Sequence, residues 1–368
     1  MVHVYYINIL NKYRLFILKF QRENIMRKKI LTMILISILV IGNIGCTKED
    51  TNQPISRTEI FMGTPISIRL YDGGNQKALD KAFEKIVEIE DAVSINKENT
   101  EITKLNESAG IEKVKLSDLS YDILKKGIEY SRLSNGTYDI TIGPLVKLWS
   151  IGLEDARVPS QDEINNTIDY IDYNNIEVNN STKEAFLMKK GMEIDLGSIA
   201  KGYAADEVAK ILKQEGVNSA IIDLGGNIYA LGSKSSDSNW KVGIQNPFND
   251  RGEVVGSIEV SDKTVVTSGI YERFIEEDGV KYHHILNPKT GYPYETDIAG
   301  VSIIADNSID ADALSTLTFT KGLEEGLKFV EDLENVDAIF ITNDKQIYMS
   351  EGIKDNFKLI DNDFKISN

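Results

Sequence analysis

Helical and strand-like patterns are mixed along residues 60–350, and no Pro-, Gly- or Ser-rich linker separates them. Apolar residues recur at helical spacing in four segments, 75–94, 117–136, 204–216 and 311–333. Strand-like patterns occupy 65–71, 219–233, 240–247, 256–269, 272–287 and 336–350. Because many of these strands follow one another as hairpins, we predict an α+β fold with mixed and antiparallel sheets. The unbroken length predicts one large domain, built as two interleaved α/β lobes.

The first 45 residues have the pattern of a targeting sequence. Three basic residues after Met26 precede an apolar run over 30–41, and small residues lead up to Cys46, which is the layout of a secretory signal peptide. The run is shorter than the roughly 20 residues that a membrane span needs. We therefore predict an upstream extension at 1–25 from a start codon assigned too early, a signal peptide at 26–45, a polar tether at 46–59 and the functional domain at 60–368.

Cys46 is the only cysteine of the chain, so no internal disulfide can form. A lone cysteine directly after a secretory apolar run is typical of a lipoprotein, in which the cysteine is cleaved and acylated. Asn43 departs from that pattern, because an aliphatic residue usually stands there, and an uncleaved N-terminal anchor is the alternative. In both cases we expect a domain outside the cytoplasm that is tethered to the cell membrane.

The charge of the chain argues against one class of partner. The net charge is −16, and residues 1–45 contain seven Lys or Arg and one Glu, so residues 46–368 carry −22. We expect no nucleic acid partner, because phosphate backbones are bound by clustered Lys and Arg. For a smaller anionic ligand, helix dipoles or a metal ion must overcome this negative background.

The segment DLGSIAKGYAAD, residues 195–206, reads as a strand end, a glycine turn and the start of a helix. Unpaired N–H groups at a helix start, together with the helix dipole, favour a negative ligand such as phosphate. Lys201 adds a positive charge where the dipole disfavours it, which indicates that the charge is needed there. An ordinary strand-to-helix turn with a solvated lysine is the alternative.

The segment ADALST, residues 311–316, carries a candidate metal site. Asp312 and Thr316 are four residues apart and share one helix face. A carboxylate and a hydroxyl are hard oxygen ligands that suit Mg²⁺, which takes few ligands from the protein and completes its shell with water and phosphate. An Asp-rich first helical turn that serves only to stabilise the helix is the alternative.

Two further segments carry candidate ligand-binding residues. His283 and His284 alternate on a strand, so at most one faces a pocket, where a histidine can accept a hydroxyl proton near neutral pH. In GTYDITIGPL, Tyr138 can stack on a flat ring and Asp139 can accept hydrogen bonds from ring or ribose groups. Packed turns, and one core and one surface histidine, are the alternatives. Glycines beside small hydroxyl residues in 61–68 and 265–274 also permit close approach of a ligand to the backbone.

The segments MGT, GTYDITIGPL, DLGSIAKGYAAD, DLGGN, TSGIYER, HHILNPKTGYP and ADALST occur in this order from about Phe61 to beyond Thr316. Together they resemble the signature blocks of the ApbE-type FAD:protein FMN transferases, and the lipoprotein leader also fits that family. The resemblance implies an enzyme that binds FAD with Mg²⁺, transfers FMN to a Thr or Ser hydroxyl of a partner flavoprotein and releases AMP.

The resemblance also implies roles for individual residues. His284 would lie beside the reacting phosphate, and Asp312 and Thr316 would bind Mg²⁺ together with a backbone oxygen near Ser198. Asn96 stands where many members have a tyrosine that contacts the flavin. The FAD site would further be lined by Met62, Thr137, Tyr138, Asp139, Asp195, Lys201 and Ile285.

Two other functions stay open from the sequence. Some relatives hydrolyse FAD to FMN and AMP, with water in place of the acceptor hydroxyl. A lipoprotein that binds and delivers flavin without chemistry is the alternative from another class. The paired candidate metal ligands and the histidine argue against simple binding, which requires neither. We expect the acceptor to be an extracytoplasmic flavoprotein.

Overall fold

A computed structural model of the protein describes residues 54–367, and the residues from Pro54 onward form one compact unit. The predicted extension, the signal peptide, Cys46 and most of the tether lie outside the described residues. Within residues 54–367, no helix has both the length and the apolar character needed to cross a membrane.

The strands in chain order are β1 Ile55–Phe61, β2 Thr64–Asp72, β3 Val114–Lys115, β4 Ile176–Asn179, β5 Glu184–Leu187, β6 Ser219–Leu224, β7 Asn227–Leu231, β8 Trp240–Gln245, β9 Val254–Val260, β10 Lys263–Gly269, β11 Phe274–Glu277, β12 Val280–His283, β13 Ile298–Ala305, β14 Asp337–Thr342, β15 Gln346–Met349, β16 Lys358–Leu359 and β17 Lys365–Ile366. The helices are α1 Gln76–Val93, α2 Glu101–Glu107, α3 Asp118–Leu133, α4 Gly143–Trp149, α5 Gln161–Ile168, α6 Ala200–Gln214 and α7 Ser308–Glu331.

A nine-stranded sheet forms the centre of the molecule, in the order β1-β2-β6-β7-β10-β13-β14-β15-β17. Its neighbouring strands are antiparallel except β15 and β17, which are parallel. Two three-stranded sheets, β16-β9-β8 and β3-β5-β4, and the hairpin β11-β12 accompany it. The α+β fold with mixed and antiparallel sheets is therefore confirmed.

Both faces of the central sheet are covered by apolar side chains. One face packs against α1, α6 and α7 in a core that includes Ile66 of β2, Val208 of α6 and Leu317 of α7. The other face packs against β8 and β9 around Trp240 and Ile258. Strand side chains alternate between these two cores because successive residues point to opposite faces.

Two of the predicted helices begin with a capping side chain. The Asn75 side chain accepts a 2.9 Å hydrogen bond from the Ala78 N–H at the start of α1. Ser117 accepts a 3.3 Å hydrogen bond from the Ser120 N–H at the start of α3. Such side chains satisfy N–H groups that have no partner in the first helical turn.

Helix α7 differs from the continuous helix predicted for 311–333. It begins earlier, at Ser308, and its regular geometry breaks at Gly322, which has φ of 71°. The Asp297 carboxylate accepts a 3.0 Å hydrogen bond from the Leu323 N–H just after the break. Glycine adopts this left-handed backbone conformation without steric cost, so the helix restarts there with a new cap.

Candidate active site

Helices α6 and α7 cross at their first turns, and the crossing joins segments that are 110 residues apart in the chain. A Cβ atom added at Gly202 of α6 would lie 2.2 Å from the Ser308 carbonyl oxygen of α7, so only glycine permits this approach. The Gly202 N–H donates a 2.8 Å hydrogen bond to Asp312 Oδ2. The start of α6, where the helix dipole stabilises negative charge, therefore binds and orients the carboxylate.

The Lys201 ammonium lies at the same point. Its Nζ is 3.8 Å from Asp312 Oδ1 and donates a 3.2 Å hydrogen bond to the Gly197 carbonyl oxygen. About a quarter of the Lys201 side chain is exposed, whereas that of Asp312 is almost completely buried. The ammonium therefore has donor capacity left for a ligand that approaches from solvent.

Thr316 follows Asp312 by one turn on the same face of α7, as the spacing predicts. Its half-buried hydroxyl lies 3.4 Å from the Ser268 hydroxyl of β10. Ser268 also shares a 2.8 Å hydrogen bond with Ser315, whose hydroxyl donates to the Asp312 carbonyl oxygen. These contacts join the end of β10 to the first two turns of α7.

The oxygen atoms of Asp312 and Thr316 fit a hard divalent cation. No group of three His, Cys, Asp or Glu side chains that could hold a metal ion occurs among residues 54–367. Asp312 Oδ1 and the Thr316 hydroxyl are hard ligands, and Asp312 Oδ1 already attracts the Lys201 ammonium. This donor set suits Mg²⁺, which takes one or two carboxylates and obtains its other ligands from water and substrate phosphates.

The turn before α6 is held by side chains on both sides. Asp195 Oδ1 accepts a 2.7 Å hydrogen bond from the Gly197 N–H, and the Ser198 hydroxyl donates a 2.9 Å hydrogen bond to the phenol oxygen of Tyr138. Burial raises the pKa of Asp195, although the charges of Arg273 and Lys201 act in the opposite direction. Tyr138 is only 4% exposed, so most of its ring packs inside the protein.

The two adjacent histidines have different surroundings. His283 is buried, with its Nε2 2.8 Å from the Tyr294 carbonyl oxygen and its Nδ1 3.3 Å from the Ile285 N–H. His284 is half-buried, and its Nδ1 lies 3.3 Å from the Arg273 carbonyl oxygen. Because a carbonyl oxygen only accepts, the proton of neutral His284 resides on Nδ1, which leaves the Nε2 lone pair free.

The charge state of His284 also follows from its surroundings. Burial, followed by the positive charges of Arg273, His283 and Lys201, lowers its pKa to about 3. His284 is therefore neutral at physiological pH, and its Nε2 lone pair is unprotonated.

Arg273 and Glu272 are site residues that we did not predict. The exposed Arg273 donates a 3.3 Å hydrogen bond to the Gly63 carbonyl oxygen, while its own carbonyl oxygen accepts from His284. The Glu272 side chain is solvent-exposed, yet desolvation raises its pKa to about 7, against the opposing charges of Lys201 and Arg273. A cationic side chain near Gly269 in so acidic a domain was the available signal.

The segment around Thr137 is tied to the rest of the site through its backbone. The Tyr294 hydroxyl donates a 2.8 Å hydrogen bond to the Thr137 carbonyl oxygen, and the Thr320 hydroxyl of α7 donates one of 3.1 Å to the Thr137 hydroxyl. Asp139 is buried, and its oxygens accept hydrogen bonds from the Thr141 N–H, the Thr141 hydroxyl and the Tyr173 N–H. The Asp139 carboxylate thus orders this segment from within.

Met62 and Asn96 lie in a second group of contacts. Met62 and Gly63 form the two-residue turn between β1 and β2, both with positive φ, and the Met62 N–H donates a 2.6 Å hydrogen bond to Glu90. Lys97 forms a 2.6 Å ion pair with the other Glu90 oxygen, which brings the segment of the exposed Asn96 towards this turn. The Arg273 hydrogen bond to Gly63 then connects the group to His284.

Ile285 is buried directly after His284. A separate cavity of about 420 Å³ lies beside α4 and Tyr170, and none of the predicted site residues lines it. The predicted residues Lys201, Asp312 and Thr316 instead lie at the crossing of α6 and α7.

The fold and this group of residues define an α+β protein in which a lysine, a helix start and hard oxygen donors come together at one point. The chain belongs to the ApbE family, whose model matches residues 62–340. It is 34% identical to an FAD:protein FMN transferase of Klebsiella pneumoniae over 86% of this chain and 98% of that protein. It is 35% identical to the FAD:protein FMN transferase of Treponema pallidum over 88% of this chain and 94% of that protein.

Solved structures give the same result for the fold. The ApbE protein of Thermotoga maritima superposes with a TM-score of 0.76 at 31% identity, covering 82% of this chain and 98% of that one. The flavin transferase ApbE of Vibrio cholerae superposes with a TM-score of 0.74 at 25% identity, covering 83% and 99% of the two chains.

Proposed function

We propose that the protein is an FAD:protein FMN transferase that moves the FMN part of FAD to a Thr or Ser hydroxyl of a partner flavoprotein and releases AMP. The observation that carries the proposal is the meeting of Lys201, Asp312 and the start of α6 at one point. The diphosphate of FAD requires such a local site in a domain with a charge of −22. The activity named for the relatives supports the same reaction.

In the proposed reaction the acceptor hydroxyl oxygen bonds to the phosphorus on the FMN side. The bond from that phosphorus to the bridging oxygen breaks, and AMP leaves with the bridging oxygen and its electron pair. Negative charge on the phosphoryl oxygens is stabilised by the Lys201 ammonium and the positive end of the α6 dipole. The hydroxyl proton passes to Nε2 of His284, which is neutral and has a free lone pair.

Mg²⁺ would be held by Asp312 and Thr316, with a backbone oxygen near Ser198 as a third protein ligand. When bound, it would act as a Lewis acid that neutralises charge on the diphosphate. The protein prepares this site by binding Asp312 Oδ2 to the Gly202 N–H, so that Oδ1 is directed towards Lys201.

The remaining predicted residues would form the part of the site that takes the rest of FAD. Met62 and Asn96 belong to one group of contacts, and Thr137 and Tyr138 to another, on segments connected to His284 and α7. We propose that the flavin and adenosine parts bind along these segments, with Ile285, Asp139 and Asp195 shaping their walls.

We further propose that Cys46 is lipidated and anchors the domain to the extracytoplasmic face of the cell membrane, where an extracytoplasmic flavoprotein is the acceptor. Replacing Cys46 with Ser should release the protein from the membrane fraction on blotting. An unchanged membrane fraction would favour the uncleaved N-terminal anchor.

The function is tested with the 46–368 fragment, FAD, Mg²⁺ and candidate acceptor flavoproteins. We expect a fluorescent flavin band that comigrates with an acceptor on a denaturing gel, and one AMP released per flavin attached. Free FMN with AMP and no labelled acceptor would instead identify an FAD pyrophosphatase. FAD binding without AMP would identify a flavin-binding lipoprotein, and either outcome would contradict the transferase.

A further inference from the structure

The two helices that cross at the site do not cap their own N-termini. Ile199 precedes α6 and Asn307 precedes α7, and neither side chain accepts a hydrogen bond from the helix that follows it. Uncapped first turns leave backbone N–H groups without partners, which costs free energy in a buried setting.

Each helix is instead capped by a carboxylate of the other. Asp312 of α7 accepts the 2.8 Å hydrogen bond from the Gly202 N–H of α6. Asp206 of α6 accepts two hydrogen bonds from the first turn of α7, from the Ser308 N–H and the Ile309 N–H, both at 2.8 Å. The pair of carboxylates therefore fixes the two first turns against each other in both directions.

We propose that Asp206 is a positioning residue of the site, which holds the start of α7 against α6 and thereby sets Asp312 and Thr316 relative to Lys201. The inference rests on the proposed function, because it concerns the cation that Asp312 and Thr316 would hold. Asp206 itself contacts neither FAD nor the reacting atoms.

The geometry explains why this placement matters. Asp312 has only Oδ1 left for a cation, because Oδ2 is bonded to Gly202. Gly202 has no side chain, so the polar contacts between the two first turns are the hydrogen bonds of the two carboxylates and the 3.8 Å pair of Lys201 and Asp312. If the two bonds to Asp206 are lost, the start of α7 can shift, and Oδ1 then moves with respect to Lys201 and the Gly197 carbonyl oxygen.

A second set of contacts keeps α7 attached to the rest of the domain when Asp206 is changed. Asp310 in the first turn of α7 forms a 2.9 Å ion pair with Lys126 of α3 and accepts a 2.8 Å hydrogen bond from the Tyr130 hydroxyl. Replacing Asp206 should therefore displace the start of α7 without unfolding the domain.

The test measures Mn²⁺ binding to the full-length protein by electron paramagnetic resonance, without FAD. Asp206→Asn keeps the size of the side chain but removes one of its two acceptor oxygens. We expect its Mn²⁺ affinity to fall about 10-fold, the lower end of what loss of an outer-sphere contact costs. Asp297→Asn is the matched control, because Asp297 caps the same helix at the Gly322 break. Its Mn²⁺ affinity should stay within about twofold of the wild type, since the effects of separated sites are independent.

Thermal unfolding of both variants separates positioning from a general loss of stability. The proposal is supported if the melting temperatures of the two variants fall by similar amounts and only Asp206→Asn binds Mn²⁺ more weakly. Should Asp206→Asn not fold, Asp206→Glu takes its place, since it keeps the charge but cannot reach both N–H groups in the same geometry. Wild-type affinity in the folded Asp206 variant, with binding abolished in Asp312→Ala, would overturn the positioning role alone. A wild-type protein that binds no Mn²⁺ would overturn this role and the metal assignment together, and the flavin-labelling assay then reports on the transferase separately.

Discussion

His283 and His284 are adjacent in the chain but have opposite roles in our account. We predict that His284→Gln loses transfer by about 10²- to 10⁴-fold, the usual contribution of a general base, because no other neutral side chain with a free lone pair is assigned there. FAD affinity, measured by quenching of flavin fluorescence, should remain close to that of the wild type. Unchanged transfer by His284→Gln would remove the assigned role.

His283→Gln is the matched comparison. His283 bonds the Tyr294 carbonyl oxygen and the Ile285 N–H inside the core, so its replacement should reduce the free energy of unfolding by about 1–3 kcal/mol through unsatisfied buried groups. Chemical denaturation measures this value. A variant as stable as the wild type would show that His283 is not a structural histidine.

The lowered pKa of His284 predicts a pH dependence of stability. Between pH 6.5 and about 3 the unfolded chain binds a proton at this residue and the folded protein does not. Acidification through this window therefore destabilises the folded state, and the contribution is absent above pH 6.5. We expect His284→Gln to lose stability less steeply than the wild type from pH 6.5 to 4.5 in urea titrations. If the free energy of unfolding falls equally steeply with acidification in both proteins, the lowered pKa of His284 is contradicted.

The sequence indicated which residues belong to the site better than it indicated which groups those residues contact. Lys201, Asp312 and Thr316 were accessible from sequence because a misplaced charge and an i,i+4 spacing are local signals. The hydrogen bond from the Tyr173 N–H to Asp139 was not, because this donor is 34 residues away. Arg273 was missed for the same reason, since its contacts with Gly63 and His284 exist only in the folded chain.

At the scale of elements, the crossing of α6 and α7 depends on the missing side chain of Gly202. Gly202→Ala should destabilise the protein by about 1–3 kcal/mol, as overpacked sites do, because its Cβ would collide with the Ser308 carbonyl oxygen. The same change should raise the Mg²⁺ concentration needed for half-maximal transfer, since Asp312 loses its position. Melting temperature and the Mg²⁺ concentration for half-maximal rate measure the two effects.

Gly252→Ala provides the comparison, because a Cβ there has open space and only its positive φ of 99° opposes the change. We expect a cost of about 1 kcal/mol or more from backbone strain and an unaltered Mg²⁺ dependence. Equal Mg²⁺ dependence in both variants would contradict the view that close helix contact sets the site.

Long amphipathic helices were predictable, whereas short ones were not. Helices α1, α3 and α6 have clear apolar stripes and, for two of them, capping side chains. Helix α4 is seven residues long and was not among the predicted helices, although a proline in its first turn favours a helix start. The break at Gly322 requires the Asp297 cap from a distant segment, so no local pattern reveals it.

At the scale of the whole molecule, a strongly acidic domain has to bind an anionic dinucleotide. In the proposed function, a lysine, a helix start and the Asp312 carboxylate supply this local site at one crossing. The charge of the chain reveals this problem, and the pattern of helices and hairpins predicts the fold class, but neither specifies that α6 and α7 meet at their first turns. That meeting is a tertiary property of the central sheet and the helices packed on it.

A crystal structure of the protein with FAD and Mn²⁺ tests this central claim most directly, because anomalous scattering locates the metal without interpretation. We predict one Mn²⁺ peak within bonding distance of Asp312 Oδ1 and the Thr316 hydroxyl, in contact with a diphosphate that also binds Lys201. A metal bound away from Asp312, or a diphosphate on another face of the domain, would contradict the account.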